Sequence, residues 1–362
     1  MGSRAPTPTY DIPALIVPGD TLGNLSREGV CLVRWEYVVS PETIVGQAHA
    51  STIVETSNRD LVCAWFGGAR EGDHAVAIWM SRRTADGWSK ATVVVDEPDV
   101  PTWNPVLFRD DAGCIWLFYQ VGYTCDTWSG FVIKSTDDGK TWSSPEIMPA
   151  GLFGPIKNKP IRLADGRIAC GSSVESYNAW TGWIHIYDPK SGSWSIRGPL
   201  AVPDTPRGLI QPTLWEVMPG HIRSYLRSTR EIGYICTSDS EDNGETWSVA
   251  ERTALPNPNS GIDAVKLADG RVVLIYNHTQ RTDKRSGREI IHVAVSSDDG
   301  ETWSAPWVIE DEGNEYSYPA VIQGVDGTVH VTYTWNRIGV RYASFSPEEI
   351  DRIADGTMER LH

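Results

Sequence analysis

The sequence repeats an octet of turn-forming residues that ends in tryptophan, and this repeat limits the possible folds more than any other feature. Three copies agree closely: STDDGKTW (135–142), SEDNGETW (240–247) and SSDDGETW (296–303). Two weaker copies end at Trp88 and Trp194. The final tryptophans of successive copies are separated by 52 to 56 residues. A period of this length indicates a structural unit of several strands or helices that recurs along the chain.

The segments between the octets have the pattern of β-strands. The stretch VKLADGRVVLIYN (265–277), for example, predicts a hairpin with Asp-Gly at its bend. Apolar spacing of 3.6 residues, which helical repeats require, is missing. Six apolar segments open the units: HASTIV, NPVLF, KPIRL, QPTLW, DAVKL and YPAVI. The sequence therefore predicts an all-β fold, a six-bladed β-propeller of four-stranded antiparallel blades.

The last unit contains only three strands. The N-terminal run GVCLVRWEYVV (29–39) is predicted to supply its missing outer strand, because closing the ring in this way removes an exposed sheet edge. The blades then span about 29–345, and a short C-terminal tail (346–362) contains a helical segment. We predict that the whole chain, 1–362, is one domain.

The charge composition of the chain excludes some classes of binding partner. The net charge is −15 and lysine and arginine form no run, so we expect no binding to nucleic acid or to an anionic membrane surface. No segment approaches the roughly 20 apolar residues of a membrane span, and the N-terminal run has no uninterrupted apolar core of signal-peptide length, so no signal peptide is predicted. The location predicted is cytoplasmic, or secreted if a leader has been removed. The cysteines and histidines lack metal-ligand spacing, so no metal or cofactor is predicted.

The octet resembles the Asp-box, or BNR, repeat of the sialidase superfamily, and the resemblance covers about residues 29–345. In such a repeat the octet is a hairpin turn between the third and fourth strands. Its aspartate accepts backbone N–H groups, its glycine takes a strained conformation and its tryptophan packs between sheets. The octets are then scaffold. The segments that open the blades, and the loops between second and third strands, lie at the opposite end and face the central channel.

The resemblance implies a set of catalytic residues in that channel. Sialidases bind a carboxylate with three arginines, use a tyrosine with a glutamate partner as nucleophile, and use an aspartate as acid/base. Four positions match this set: Arg227 for the second arginine, Arg288 for the third (with Arg281 as the alternative), Tyr318 for the nucleophile (with Tyr316 as the alternative register) and Asp73 for the acid/base.

Two positions depart from the sialidase pattern. His49 stands where the first arginine is expected, and Gln211 stands in place of the glutamate. An amide cannot act as a base, so Tyr318 lacks its usual activation. The segments WFGG-REG, WNPV, GPIKNKP, PNPNSG and YSYPA are closer to a branch of predicted neuraminidases. Related propellers include enzymes that cleave glucuronate-containing glycans, by hydrolysis or by elimination, with a histidine of the channel in the key role.

We therefore predict a carbohydrate-active enzyme of sialidase type that acts like a glycosidase on an acidic-sugar-containing oligosaccharide. The predicted catalytic residues are His49, Asp73 and Tyr318. The predicted substrate-binding residues are Arg227, Arg288, Gln211, Lys157, Asn158, Asn104, Glu175 and Arg70. Asp73, Glu175 and His49 are all candidate proton donors for hydrolysis. Two alternatives stay open: a polysaccharide lyase that cleaves next to a uronate, with His49 as the base, and a propeller that binds glycans without catalysis.

Overall fold

The computed structural model describes residues 34–43 and 46–359. Strand β1 (Arg34–Val39) comes first, followed in blade I by β2 (Gln47–Glu55), β3 (Leu61–Gly68), β4 (Ala77–Thr84), β5 (Gly87–Trp88) and β6 (Thr92–Val95). Blade II contains β7 (Thr102–Arg109), β8 (Ile115–Val121), a short 3₁₀ helix (Cys125–Thr127), β9 (Ser129–Ser135) and β10 (Glu146–Ile147). Blade III contains β11 (Ile161–Arg162), β12 (Ile168–Glu175), β13 (Trp180–Asp188) and β14 (Ser193–Leu200).

The second half of the chain continues the pattern. Blade IV contains β15 (Leu209–Met218), β16 (His221–Ser228), β17 (Tyr234–Ser240) and β18 (Glu251–Pro256). Blade V contains β19 (Asp263–Lys266), β20 (Val272–Tyr276), β21 (Ile291–Ser296) and β22 (Trp307–Glu310). Blade VI contains β23 (Tyr316–Gln323), β24 (Val329–Trp335) and β25 (Gly339–Phe345), and helix α1 (Pro347–Ala354) follows it. The predicted six-bladed propeller is confirmed.

The first strands of the blades surround the axis. Strand β2 contacts β7 and β23, and β19 contacts β15 and β23. Within each blade the strands follow one another outwards in antiparallel order. Blade I differs in one respect, since its outermost strand is divided into β5 and β6, which both pair with β4.

The N-terminal strand closes the ring as predicted. Strand β1 pairs antiparallel with β25 and completes blade VI. The start of blade I is also tied to blade VI, because the Ala48 N–H donates to the Arg337 carbonyl over 2.8 Å. Residues 29–33 of the predicted strand lie outside the described residues. That the whole chain is one domain therefore stays a prediction.

The apolar core lies between the blades. The buried apolar side chains of the described residues form six clusters, most of which join two neighbouring blades. The C-terminal helix α1 adds Ile350 and Ile353 to the cluster of blades V and VI. Its first turn is capped by Ser346, whose hydroxyl accepts the Glu349 N–H. Within the part of the chain that is described, no helix has the length and apolarity to span a membrane.

The octets form the predicted turns between third and fourth strands. In the blade V copy, Asp298 accepts the N–H and the hydroxyl of Thr302 over 2.8 and 2.6 Å, while Ser296 accepts the Gly300 N–H. Gly300 has φ +93°, a conformation that other residues rarely adopt. The octet tryptophan, Trp303, packs against Tyr225 of blade IV with ring centroids 5.9 Å apart. This turn thus fixes its own shape and contacts the preceding blade.

We expect Asp298→Ala to lower the free energy of unfolding by about 1–2 kcal/mol, measured by urea denaturation. Burial alone would raise the pKa of this carboxyl, but the hydrogen bonds from Thr302 and Ser296 lower it. The wild-type carboxylate therefore stabilises the fold at neutral pH, and this contribution disappears as the pH falls through the lowered pKa. The exposed neighbour Ser297 is the control. An equal loss in Ser297→Ala would contradict this role of the carboxylate.

Candidate active site

The first strands of four blades contain a β-bulge near their start. The register of the strand ladder shifts between His49 and Thr52, Trp103 and Val106, Ile210 and Thr213, and Ser317 and Ala320. Inside each shift one residue takes a positive φ between 40° and 55°: Ala50, Asn104, Gln211 and Tyr318. Three of the four precede a proline. Because a bulge redirects side chains out of the regular alternation, these starts aim polar groups at one end of the axis.

Side chains from three blades meet there. Nη1 of Arg227 donates to the Tyr318 hydroxyl over 2.5 Å and to Oε1 of Gln211 over 3.0 Å. The imidazole of His49 lies against the Tyr318 ring, with centroids 4.2 Å apart. Direct contacts thus link these four residues in a chain: His49 to Tyr318, Tyr318 to Arg227, and Arg227 to Gln211.

Arg288 lies on the same tyrosine. Its guanidinium carbon is 5.6 Å from the centre of the Tyr318 ring, and that of Arg227 is 5.4 Å away. Asn259 joins the two arginines, since its side-chain oxygen accepts from Arg227 over 2.9 Å and its carbonyl accepts from Arg288 over 2.6 Å. The alternative Arg281 is exposed, by contrast, and Tyr316 is buried against Tyr333.

A third arginine, Arg337, was not among the predicted site residues. Its Nε donates to both oxygens of Glu315, over 3.2 and 3.0 Å, and Nη1 of Arg288 donates to Oε1 of the same carboxylate over 3.1 Å. Burial favours a raised pKa for Glu315, but the charges of Arg337 and Arg288 outweigh it and lower the pKa. The loop TWNRIG between β24 and β25, at the predicted end of the propeller, was the available signal.

We call His49, Gln211, Arg227, Arg288, Tyr318 and Arg337 the central cluster. His49 is its most buried titratable group, and its Nδ1 lies 2.9 Å from the Thr334 hydroxyl. Its Nε2 is buried and has no hydrogen-bond partner among the described residues. Burial holds the pKa of His49 well below its usual value, and so do the charges of Arg337, Arg288, Arg227 and Lys157. The imidazole is thus neutral at pH 7, in surroundings that favour an anion.

Lys157 and Asn158 lie beneath this cluster and bind to the protein itself. Nζ of Lys157 donates to Oδ1 of Asn158 over 2.9 Å, to the Ile262 carbonyl over 3.1 Å and to the Pro319 carbonyl. These three bonds use all three protons of an ammonium group. Burial lowers the pKa of Lys157 to about 7. Asn158 in turn donates to the Gln211 carbonyl over 2.9 Å, so the two residues hold the blade starts together.

Four other predicted residues have different surroundings. Asp73 is partly exposed and its carboxylate accepts the Ala75 N–H over 3.1 Å, which caps its own turn, while Arg70 is exposed in the same loop. Among the described residues, neither makes a hydrogen bond or an ion pair with the central cluster. Asn104 is buried at the bulge of blade II. Glu175 ends β12, where its charge interacts with that of Arg227.

No group of three His, Cys, Asp or Glu side chains is arranged to hold a metal ion in the described part of the chain. The central cluster itself provides guanidinium groups, a phenol and a neutral imidazole. These groups are suited to bind an anion and to transfer a proton beside it.

Known proteins resemble this chain in sequence and in fold. A sialidase of Bacteroides fragilis (strain YCH46) is 28% identical over 290 residues, which are 74% of this chain and 49% of that protein. A sialidase of Micromonospora viridifaciens is 24% identical over 298 residues, 78% of this chain and 38% of that protein. The chain thus spans less than half the length of either relative.

The crystal structure of a protein of unknown function from Dyadobacter fermentans DSM 18053 has the same fold, with a TM-score of 0.72. The two chains are 18% identical, and the match covers 88% of this chain and 99% of that one. The model of the BNR repeat-like domain matches residues 59–331. Because this match spans most of the chain, the protein belongs to the BNR repeat-like family of the sialidase superfamily.

Proposed function

We propose that the protein is a glycoside hydrolase that acts on a terminal acidic sugar of an oligosaccharide. The observation that carries this proposal is the meeting of three arginines around Tyr318 and His49. Two of the guanidinium groups lie less than 6 Å from the centre of the phenol ring. The third, Arg337, shares the Glu315 carboxylate with Arg288.

The sugar carboxylate is expected to bind to the unused N–H groups of these arginines. Nη2 of Arg227 and Nη2 of Arg337 make no hydrogen bond to any described residue, and neither is among the buried atoms that lack a partner. They therefore face the open side of the cluster. A planar guanidinium binds a carboxylate through two parallel hydrogen bonds, which fixes the sugar ring as well as its charge.

His49 is the proposed base. Gln211 occupies the position of the sialidase glutamate and uses its oxygen to accept from Arg227, so it supplies no negative charge to Tyr318. In the tautomer whose Nδ1–H donates to the Thr334 hydroxyl, the unpartnered Nε2 of the neutral imidazole is suited to accept a proton from a water molecule that attacks the anomeric carbon. The oxygen of Tyr318 then stabilises the positive charge that develops on the sugar in the transition state.

The same histidine also favours a second candidate function, that of a polysaccharide lyase. Elimination beside a uronate needs a neutral base to remove the proton next to the carboxylate, and cations to stabilise the enolate-like intermediate. His49 and the arginines provide both. The two reactions differ in product, because only elimination leaves a carbon–carbon double bond in the sugar.

The proposal predicts turnover of sialylated or uronate-bearing oligosaccharides by the wild-type protein. We expect kcat/KM for the carboxylate form to exceed that for the matching neutral amide by about 10²–10³-fold, because the amide leaves the arginines without an anion. Released reducing sugar measures hydrolysis, and the ultraviolet absorbance of an unsaturated sugar measures elimination. Binding to both groups of oligosaccharide without either product would reject an enzyme and indicate a glycan-binding propeller.

A further inference from the structure

Glu175 points towards the central cluster from blade III. It ends β12, and Ser173 lies two residues before it on the same strand. The hydroxyl of Ser173 accepts the Gln211 N–H over 2.7 Å. Because residues two apart in a strand project to the same side, the side chain of Glu175 extends on the side of Gln211. The interaction of its charge with that of Arg227 agrees with this direction.

The carboxyl group of Glu175 has no hydrogen-bond partner among the described residues. Oε1 is buried and accepts or donates no hydrogen bond within the described part of the chain. A buried oxygen without a partner costs about 1–3 kcal/mol, so such a position calls for an explanation. Oε2 makes no hydrogen bond to a described residue either, but it is not among those buried atoms and the side chain is only partly buried, so Oε2 is the oxygen that a ligand group in the channel can reach.

The surroundings of Glu175 favour its protonated form. Burial raises the pKa of the carboxyl to about 7; the nearby carboxylate of Glu71 adds to this rise and the charge of Arg227 opposes it. Cys125, in the 3₁₀ helix of blade II, also interacts electrostatically with Glu175. A pKa near the working pH is the property that a general acid requires.

Two other acidic groups near the channel, Glu315 and Asp73, are less suited to hold a proton. Glu315 is bound to two arginines, which stabilise its ionised form. Asp73 caps its own turn and is partly exposed. Gln211 is an amide and His49 is neutral, so neither is the acid of this site.

We propose that Glu175 is the general acid of the site and protonates the leaving glycosidic oxygen, an inference that rests on the proposed function. As the bond between the anomeric carbon and that oxygen breaks, its electron pair goes to the oxygen, which takes the proton of the Glu175 carboxyl. Water adds to the anomeric carbon and gives a proton to His49. Afterwards His49 releases that proton to solvent and Glu175 takes one up, which restores both groups.

The test compares wild type with Glu175→Gln on two substrates of the same acidic sugar. On an oligosaccharide of that sugar, whose leaving alcohol needs a proton, kcat is expected to fall by about 10²–10⁴-fold. On the nitrophenyl glycoside, whose leaving group departs without one, the loss should be less than about 10-fold. In wild type kcat/KM should fall as the pH rises through about 7, and the variant should lack this limb.

Glu231→Gln is the matched control, because Glu231 is exposed in the loop between β16 and β17 and is not part of the site. Thermal unfolding of both variants shows whether the fold is intact. An active wild type with an equally active Glu175→Gln, or with equal losses on the two substrates, overturns the role of Glu175 and leaves the proposed function standing. A wild type inactive on every acidic glycoside overturns the proposed function itself, and the general acid with it.

Discussion

Replacing Arg227 with lysine is expected to lower kcat/KM for an acidic glycoside by about 10²–10³-fold, which corresponds to about 3–4 kcal/mol of transition-state stabilisation. Most of the loss should appear as weaker recognition of the carboxylate. The neutral amide of the same sugar, which has no charge to lose, should be affected much less.

The expectation follows from the geometry of Arg227. Its Nη1 donates to Tyr318 and Gln211 while its Nε donates to Asn259, and these bonds leave Nη2 for a ligand. Lysine carries a single ammonium group with no planar fork, so it cannot hold those three partners and also bind a carboxylate through two bonds. The charge remains but the arrangement around Tyr318 is lost.

Arg230→Lys is the control for this substitution. Arg230 follows the same strand, and its side chain is 54% exposed in an ion pair with Asp283. An exposed pair of this kind contributes about 0–1 kcal/mol, so activity should stay close to that of wild type. If Arg227→Lys keeps full activity on the carboxylate substrate, the central cluster is not the site that binds the acidic sugar.

The fold was predictable because the octet determines its own shape. Ser296, Asp298, Gly300 and Thr302 bond to one another within eight residues, so the turn can be identified in the sequence without knowledge of its neighbours. The period then gives the number of blades. The division of the outer strand of blade I into β5 and β6 was not predicted, since no residue pattern marks it.

The site was predictable only in part. His49, Gln211 and Tyr318 stand at equivalent starts of three blades, so aligning the repeats brought them together. The roles of Arg337 and Glu315 depend on contacts between different segments, including the closure of the ring that places blade VI beside blade I. Spacing within one repeat contains no information on such contacts. The catalytic and binding roles, and the cytoplasmic location, stay predictions.

Two predicted residues show why residue type alone is a weak guide. A lysine that binds a substrate and a lysine that binds carbonyl groups look the same in a sequence, and Lys157 has protein acceptors for all its protons. Likewise, the Asp73 carboxylate bonds to the backbone two residues ahead, as aspartate often does in turns. Polar residues near a site thus often bond to the backbone or to other side chains of the protein.

Removing the carboxylate of Asp263 should have the largest effect on stability, a loss of about 3–5 kcal/mol in the free energy of unfolding for Asp263→Ala. This residue is buried at the axis, at the start of blade V. Its Oδ1 accepts from the Thr213 hydroxyl over 2.9 Å and from the Ala264 N–H over 3.0 Å. Its Oδ2 accepts the Val321 N–H over 2.9 Å, and both oxygens lie 3.0 Å from Nζ of Lys159.

These bonds join four blades through one side chain. Alanine would leave the ammonium of Lys159 largely buried without its counter-ion, and the Val321 N–H without an acceptor. A buried ammonium or N–H group without a partner destabilises the folded protein, because water at the axis does not replace the lost hydrogen bond. Asp263→Asn keeps one oxygen acceptor but loses the charge, so its loss should be smaller than that of alanine.

Urea denaturation of the two variants measures the losses, and Asp269→Ala is the control. Asp269 is exposed in the hairpin between β19 and β20 of the same blade, where it pairs with Arg271. Its removal is expected to cost less than about 1 kcal/mol. If Asp263→Ala were no less stable than Asp269→Ala, the ion pair with Lys159 would not hold the blades together, and the apolar clusters between the blades would account for their association alone.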